Sequence, residues 1–113
     1  ETKFTKDDHR NYNIKGEAFD IGDTFSGVDF EKGLEAVNEL KKILPQNFTL
    51  SDLALKWILM HDAVTVVIPG AINSKQVESN CQVCELKNIE GIMSDVKKIY
   101  DEHIKGDVHH KWN

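Results

Sequence analysis

The sequence predicts a mainly α-helical chain with one buried β-strand. Three observations carry that expectation. Apolar residues recur at spacings of three and four from Phe30 to Leu44. A second run, Leu50 to Met60, is apolar on nearly every side. The β-branched stretch Ala63-Val64-Thr65-Val66-Val67-Ile68 is closed by Pro69-Gly70.

Each element has a local reason. Residues 1–29 hold Gly16, Gly22 and Gly27 and no sustained apolar period, so they read as a long loop, of the sort that folds over a ligand or stays mobile. Phe30, Leu34, Val37, Leu40 and Leu44 then form an amphipathic helical stripe opposite Glu and Lys, and Pro45 stops it because proline has no amide hydrogen to donate. Thr49-Leu50-Ser51-Asp52 reads as a capping box that starts the next helix, 50–61, whose all-round apolar surface predicts that it is largely buried. Residues 63–68 read as a strand buried on both faces. Asn73-Ser74-Lys75-Gln76 is a second cap, opening a helix to about Cys84, with Gln76 placed to reach back. A last helix, from about Met93 to Ile104, sets Val96, Ile99, Tyr100 and Ile104 on one side. One strand among four helices leaves two edges without partners, so the strand pairs with another chain or the sequence is part of a larger sheet protein.

At 113 residues the chain fits one ordinary domain, and 40% apolar with 29% charged residues places it among globular chains. Its apolar runs fall far short of the ~20 residues that cross a bilayer, and no charged-then-apolar leader opens it, so no membrane partner is expected. A net charge of −5 and a single arginine, Arg10, argue against nucleic acid. Two cysteines, Cys81 and Cys84, make no disulfide framework and suit a reducing cytoplasm.

The most informative segment is Val67-Ile68-Pro69-Gly70-Ala71-Ile72-Asn73-Ser74-Lys75-Gln76-Val77-Glu78-Ser79-Asn80. A strand that ends in Pro-Gly-Ala delivers the chain to a helix N-terminus, whose free amides and dipole favour an anion such as a phosphate. Small residues at 70 and 71 admit close approach of the backbone, and Gln76 and Asn80, four apart, share a helical face suited to an adenine or ribose. The same residues also make an ordinary capped helix with two solvated amides.

The stretches Leu53-Ala54-Leu55-Lys56-Trp57-Ile58-Leu59, Val66-Val67-Ile68-Pro69-Gly70-Ala71, Gln76-Val77-Glu78-Ser79-Asn80 and the end Val108-His109-His110-Lys111-Trp112 together resemble the C-terminal part of the aldo-keto reductases. The resemblance runs from about Lys3 to Trp112, roughly the last third of that family's length. It implies a C-terminal fragment of a (β/α)8 TIM barrel that binds NADP, with NAD possible, and reduces an aldehyde or ketone by hydride transfer. Such barrels need roughly 250 residues and place their sites at strand C-termini, where Pro69-Gly70-Ala71 would lie if 63–68 is the eighth strand. Carried over by position, the backbone of Gly70, Ala71 and Ile72 contacts the adenosine phosphate; Asn73, Gln76 and Asn80 contact that phosphate, the ribose or the adenine; Lys3 and Arg10 belong to a loop that closes over the cofactor. Many members carry Arg or Lys at the positions of Ile72, Asn73 or Gln76, whereas the nearest basic side chain here is Lys75, and Ser79 stands where many have Glu. The choice between NADP and NAD therefore stays open.

The family's catalytic Asp, Tyr, Lys and His fall upstream of these residues, and neither Tyr12 nor Tyr100 matches that context, so no catalytic residue is assigned and the isolated chain is expected to be inactive. No metal site is expected either. Cys81-Gln-Val-Cys84 lacks a second ligand pair and closes a helix, so its thiols read as half-buried small hydrophobes; His109-His110 reads as solvated, and His61 and His103 as sitting near helix C-termini. Lys41-Lys42 and Lys97-Lys98 read as helix surface. A strand without neighbours predicts self-association. The competing class is a non-enzymatic helical interaction module that docks a partner through 50–61 and 63–68.

Overall fold

The computed structural model describes residues 5–13, 18 and 27–111. Five α-helices occur among them: α1 (Phe30–Ile43), α2 (Leu50–Leu59), α3 (Ser74–Gln82), α4 (Met93–Ile99) and α5 (Lys105–Val108). Short 3₁₀ turns lie at His9–Asn11, Val83–Glu85, Glu90–Ile92 and His109–Lys111. The chain forms two compact units, one of Glu1–Glu39 with Lys98–Asn113, the other of Leu40–Lys97.

In the first unit Asp29 starts α1: its carboxylate accepts from the amides of Glu31 and Lys32, at 3.0 and 3.2 Å, two donors that the helix itself leaves free. The packed side of α1 is centred on Ala36, which is buried, while Leu34 is exposed. The stripe read from the large residues is therefore rotated toward the small one, where backbone can come closest. Ile99 and Val108 are buried in the same unit, and Asn13, wholly buried, accepts from the amide of Ala18 at 2.8 Å. Asp107 reaches the start of α1, accepting from Lys32 Nζ at 2.8 Å and from the Asp29 amide at 3.3 Å. Gly27 takes a left-handed backbone (φ +78°), open to glycine at no steric cost, and a Cβ there would also collide with the Lys111 side chain.

The last helix is not uniform. After α4 the backbone passes through one π-helical stretch, Tyr100–Ile104, before α5 resumes the α pattern. It thus runs beyond Ile104, and His103 lies inside the helical run rather than near its C-terminus, correcting that expectation. Val96, Ile99, Tyr100 and Ile104 do share its less exposed side.

In the second unit the Thr49 capping box is present in full. Thr49 Oγ1 accepts from the Asp52 amide at 3.1 Å, and Asp52 accepts from the Thr49 amide at 2.8 Å. Asn47 takes the left-handed conformation in the turn before it (φ 70°), which asparagine tolerates better than most residues. Two expectations fail in this unit. Helix α2 is not largely buried: Leu53 is its one buried residue among those described, and Ala54 and Trp57 are exposed. An all-round apolar helix needs neighbours on every side, and Leu53, Val83 and Ile89 are the buried apolar residues described in this unit. The buried strand at 63–68 is also not seen. No strand occurs among the described residues, and Val66 and Ile68 are 65% and 88% exposed. The stretch holds a turn at Ala63 and a bend at Thr65, and a strand is defined by hydrogen bonds to a neighbouring strand, which none of the described residues supplies.

Candidate functional site

The turn from Pro69 to Asn73 feeds α3, a nine-residue helix with no buried residue among those described. Its start is organised by two side chains in a reciprocal arrangement. Asn73 Oδ1 accepts from the Gln76 amide at 3.0 Å, and Gln76 Oε1 reaches back to accept from the Ile72 amide at 2.7 Å. The sequence signals the Asn73 cap and the return of Gln76; the structure directs that return to Ile72, one residue before the cap. Those amides are occupied, whereas the amides of Asn73, Ser74 and Lys75 make no hydrogen bond among the described residues. They are the donors that a helix start offers an anion, at the positive end of the dipole.

Gly70, Ala71, Ile72, Asn73 and Gln76 are all exposed, and Asn80 is half-buried on the side of α3 that it shares with Gln76. A Cβ built on Gly70 meets nothing within 4 Å, so the surface above the turn is open. These six residues belong to one unit. Lys75, the nearest cation in sequence, is exposed on the first turn of α3.

Arg10 belongs to the other unit. Its guanidinium clasps Asp8 through Nε to Oδ1 at 2.9 Å and Nη2 to Oδ2 at 2.6 Å, and that hydrogen bond, with the carboxylate's charge, raises its pKa above the ordinary value. A phosphate reaching Arg10 competes with a bidentate carboxylate. Lys3 lies outside the described residues, as does Trp112.

Cys81 and Cys84 are free thiols, but both are exposed rather than half-buried, while Val83 between them is buried. His61 follows the end of α2 and meets Trp57 edge-on, ring centroids 4.5 Å apart. His109 is exposed yet engaged, its Nδ1 lying 3.0 Å from the Tyr100 hydroxyl. One constellation was missed: His103 faces Glu35 and Glu39 of α1, with Glu102 alongside. Its trace in the sequence is the four-residue spacing of Glu35 and Glu39, which puts both on one helical face. The histidine that meets them is remote in sequence.

Comparisons with known proteins bear on what this turn serves. Residues 1–101 match the model of the aldo/keto reductase family. The chain is 36% identical over 85 residues to "Aldo-keto reductase str7" of Strobilurus tenacellus, an alignment covering 74% of this chain and 25% of that protein. It thus spans about a quarter of the length of the curated relative it matches. No solved structure matches it. With the match extending over most of its length, the chain belongs to the aldo/keto reductase family.

Proposed function

We propose that this chain is the C-terminal, dinucleotide-binding part of an aldo-keto reductase, a (β/α)8 barrel that reduces an aldehyde or ketone with NADP as cofactor, NAD being the alternative. The observation that carries the reading is the open, side-chain-braced turn at 69–76, with three unengaged amides at a helix start. These residues fit the cofactor's adenosine phosphate: Gly70, Ala71 and Ile72 allow backbone approach, and Asn73, Gln76 and Asn80 offer amide side chains. Lys3 and Arg10 match by position, through the family resemblance, basic residues that contact the cofactor's phosphates. The cofactor supplies the hydride; the part of this chain is to bind and orient it.

Residues 63–68, unpaired among the described residues, are in this reading the last barrel strand, which becomes a strand when the rest of the sheet supplies partners. The catalytic acid lies outside the chain, so the isolated chain is inactive. Its compartment is cytoplasmic. Among the described residues no helix is long and apolar enough to cross a membrane. Alone, the chain self-associates through its exposed edge.

Titrating NADPH while following the fluorescence of Trp57 and Trp112 tests the reading. Saturable, salt-sensitive binding that Asn73→Ala weakens supports it. A full-length protein that turns over carbonyl substrate but binds NADPH equally well with and without Asn73→Ala would refute the assignment of the turn.

A specific observation favours a second reading, a helical interaction module. Val66, Ile68, Ile72 and Val77 are large hydrophobics exposed within twelve residues of chain. Under that reading NADPH gives no saturable signal, and a protein partner protects these residues from hydrogen exchange.

A further inference from the structure

The His103 cluster lies within the first unit. Both nitrogens of the ring face carboxylates: Nε2 lies 3.5 Å from Glu39 Oε2, and Nδ1 lies 3.6 Å from Glu35 Oε2. The ligand-capable atoms of Glu39, Glu102 and His103 all lie within 4.8 Å of one another. Three carboxylates thus gather round one half-buried imidazole. Lys98 Nζ lies 3.8 Å from Glu102 Oε1 in an exposed pair, an arrangement of little energetic weight.

We propose that Glu39, Glu102 and His103 bind one zinc ion, with Glu35 as the partner of the far ring nitrogen. Zinc bonds of about 2.1 Å at tetrahedral angles hold neighbouring ligand atoms about 3.4 Å apart. The separation of His103 Nε2 and Glu39 Oε2 already matches that edge. Glu102 is the outlying ligand, and its side chain, 52% exposed, is free to rotate inward. A carboxylate on the opposite ring nitrogen is the usual companion of a ligating histidine: it holds the proton on Nδ1 and turns the Nε2 lone pair toward the metal. One nitrogen and two oxygens, with water in the fourth place, suit zinc, whereas magnesium and calcium prefer oxygen alone. The π-helical stretch, which carries both Glu102 and His103, shifts the helix phase at this point. Bound metal would tie α1 to that stretch.

The test is calorimetric titration of zinc into the metal-stripped protein in a Cys81→Ser, Cys84→Ser background, which removes the competing thiols. The expected result is one saturable site. His103→Gln and Glu39→Gln each weaken it at least tenfold, Glu35→Gln weakens it by about 10- to 100-fold, and the double variant His109→Gln, His110→Gln leaves it intact. Circular dichroism checks each fold, and Glu39→Gln, on the surface of α1, carries the test if His103→Gln unfolds. Unchanged titration of Glu39→Gln, loss of the site in the His109, His110 variant, or magnesium binding as tight as zinc would each overturn the proposal.

Discussion

Replacing Asn73 by alanine removes the acceptor that holds the Gln76 amide at 3.0 Å. An N-cap change of this kind costs about 1 kcal/mol. In a well-packed helix that loss would be hidden within global stability. Helix α3 has nine residues and none buried among those described, whereas isolated helices shorter than about 12–15 residues are marginal in water. It is therefore an element whose local opening lies far below global unfolding. A cost of about 1 kcal/mol multiplies the open population roughly fivefold. Amide hydrogen exchange reads this directly: amides 77–82 should exchange about fivefold faster in Asn73→Ala. Those of α2 should not change, because its own box at Thr49 and Asp52 is untouched. Unchanged protection over 77–82, or equal acceleration in α2, would show that the cap does not govern this segment.

Three further outcomes follow from other parts of the chain. Val83 is 1% exposed and its carbonyl accepts from Lys56 Nζ at 3.4 Å, so Val83→Ala should cost about 2 kcal/mol through lost burial and the cavity left behind, seen as a lower urea midpoint for the second unit. Asp107 has its carboxyl held below the ordinary carboxylate value, first by the hydrogen bond from Lys32 and then by the Asp29 amide, and Lys32 is correspondingly raised. A lowered acid contributes stability above its unfolded pKa and loses it as pH falls through the folded value. A raised lysine contributes below its unfolded pKa and loses it as pH rises through the folded one. The clasp should therefore hold across neutral pH and loosen at both extremes, and carboxyl NMR should place the Asp107 midpoint below that of an unstructured aspartate. Ile68, at 88% exposed, makes little contact, so Ile68→Lys should leave the urea midpoint unchanged while lowering the apparent mass in light scattering if the unpaired segment 63–68 drives self-association.

The sequence by itself determined the local starts and stops. Thr49 with Asp52, Asn73 with Gln76, and Pro45 act within a few residues, and each does in the structure what its chemistry dictates. It also carried the family, because Pro69-Gly70-Ala71 and the spaced Gln76 and Asn80 are legible without coordinates. Asp29 was not read as a cap, although an aspartate before an apolar period is an ordinary helix start.

Burial and pairing were decided only in three dimensions. The pattern of residues 50–68 states what surroundings they suit, not whether those surroundings are present. Leu50–Leu59 has an apolar surface meant for neighbours on all sides, and 63–68 has the β-branched composition of a central strand. Within these residues the one stays half-exposed and the other unpaired, because burial and strand hydrogen bonds are properties of two surfaces, and one sequence segment encodes a single surface. The same reason hid the His103 cluster. Glu35 and Glu39 announce a shared face, but the imidazole between them arrives from a distant turn of chain, and its angle of arrival is fixed by a π-helical step that no periodicity foretells.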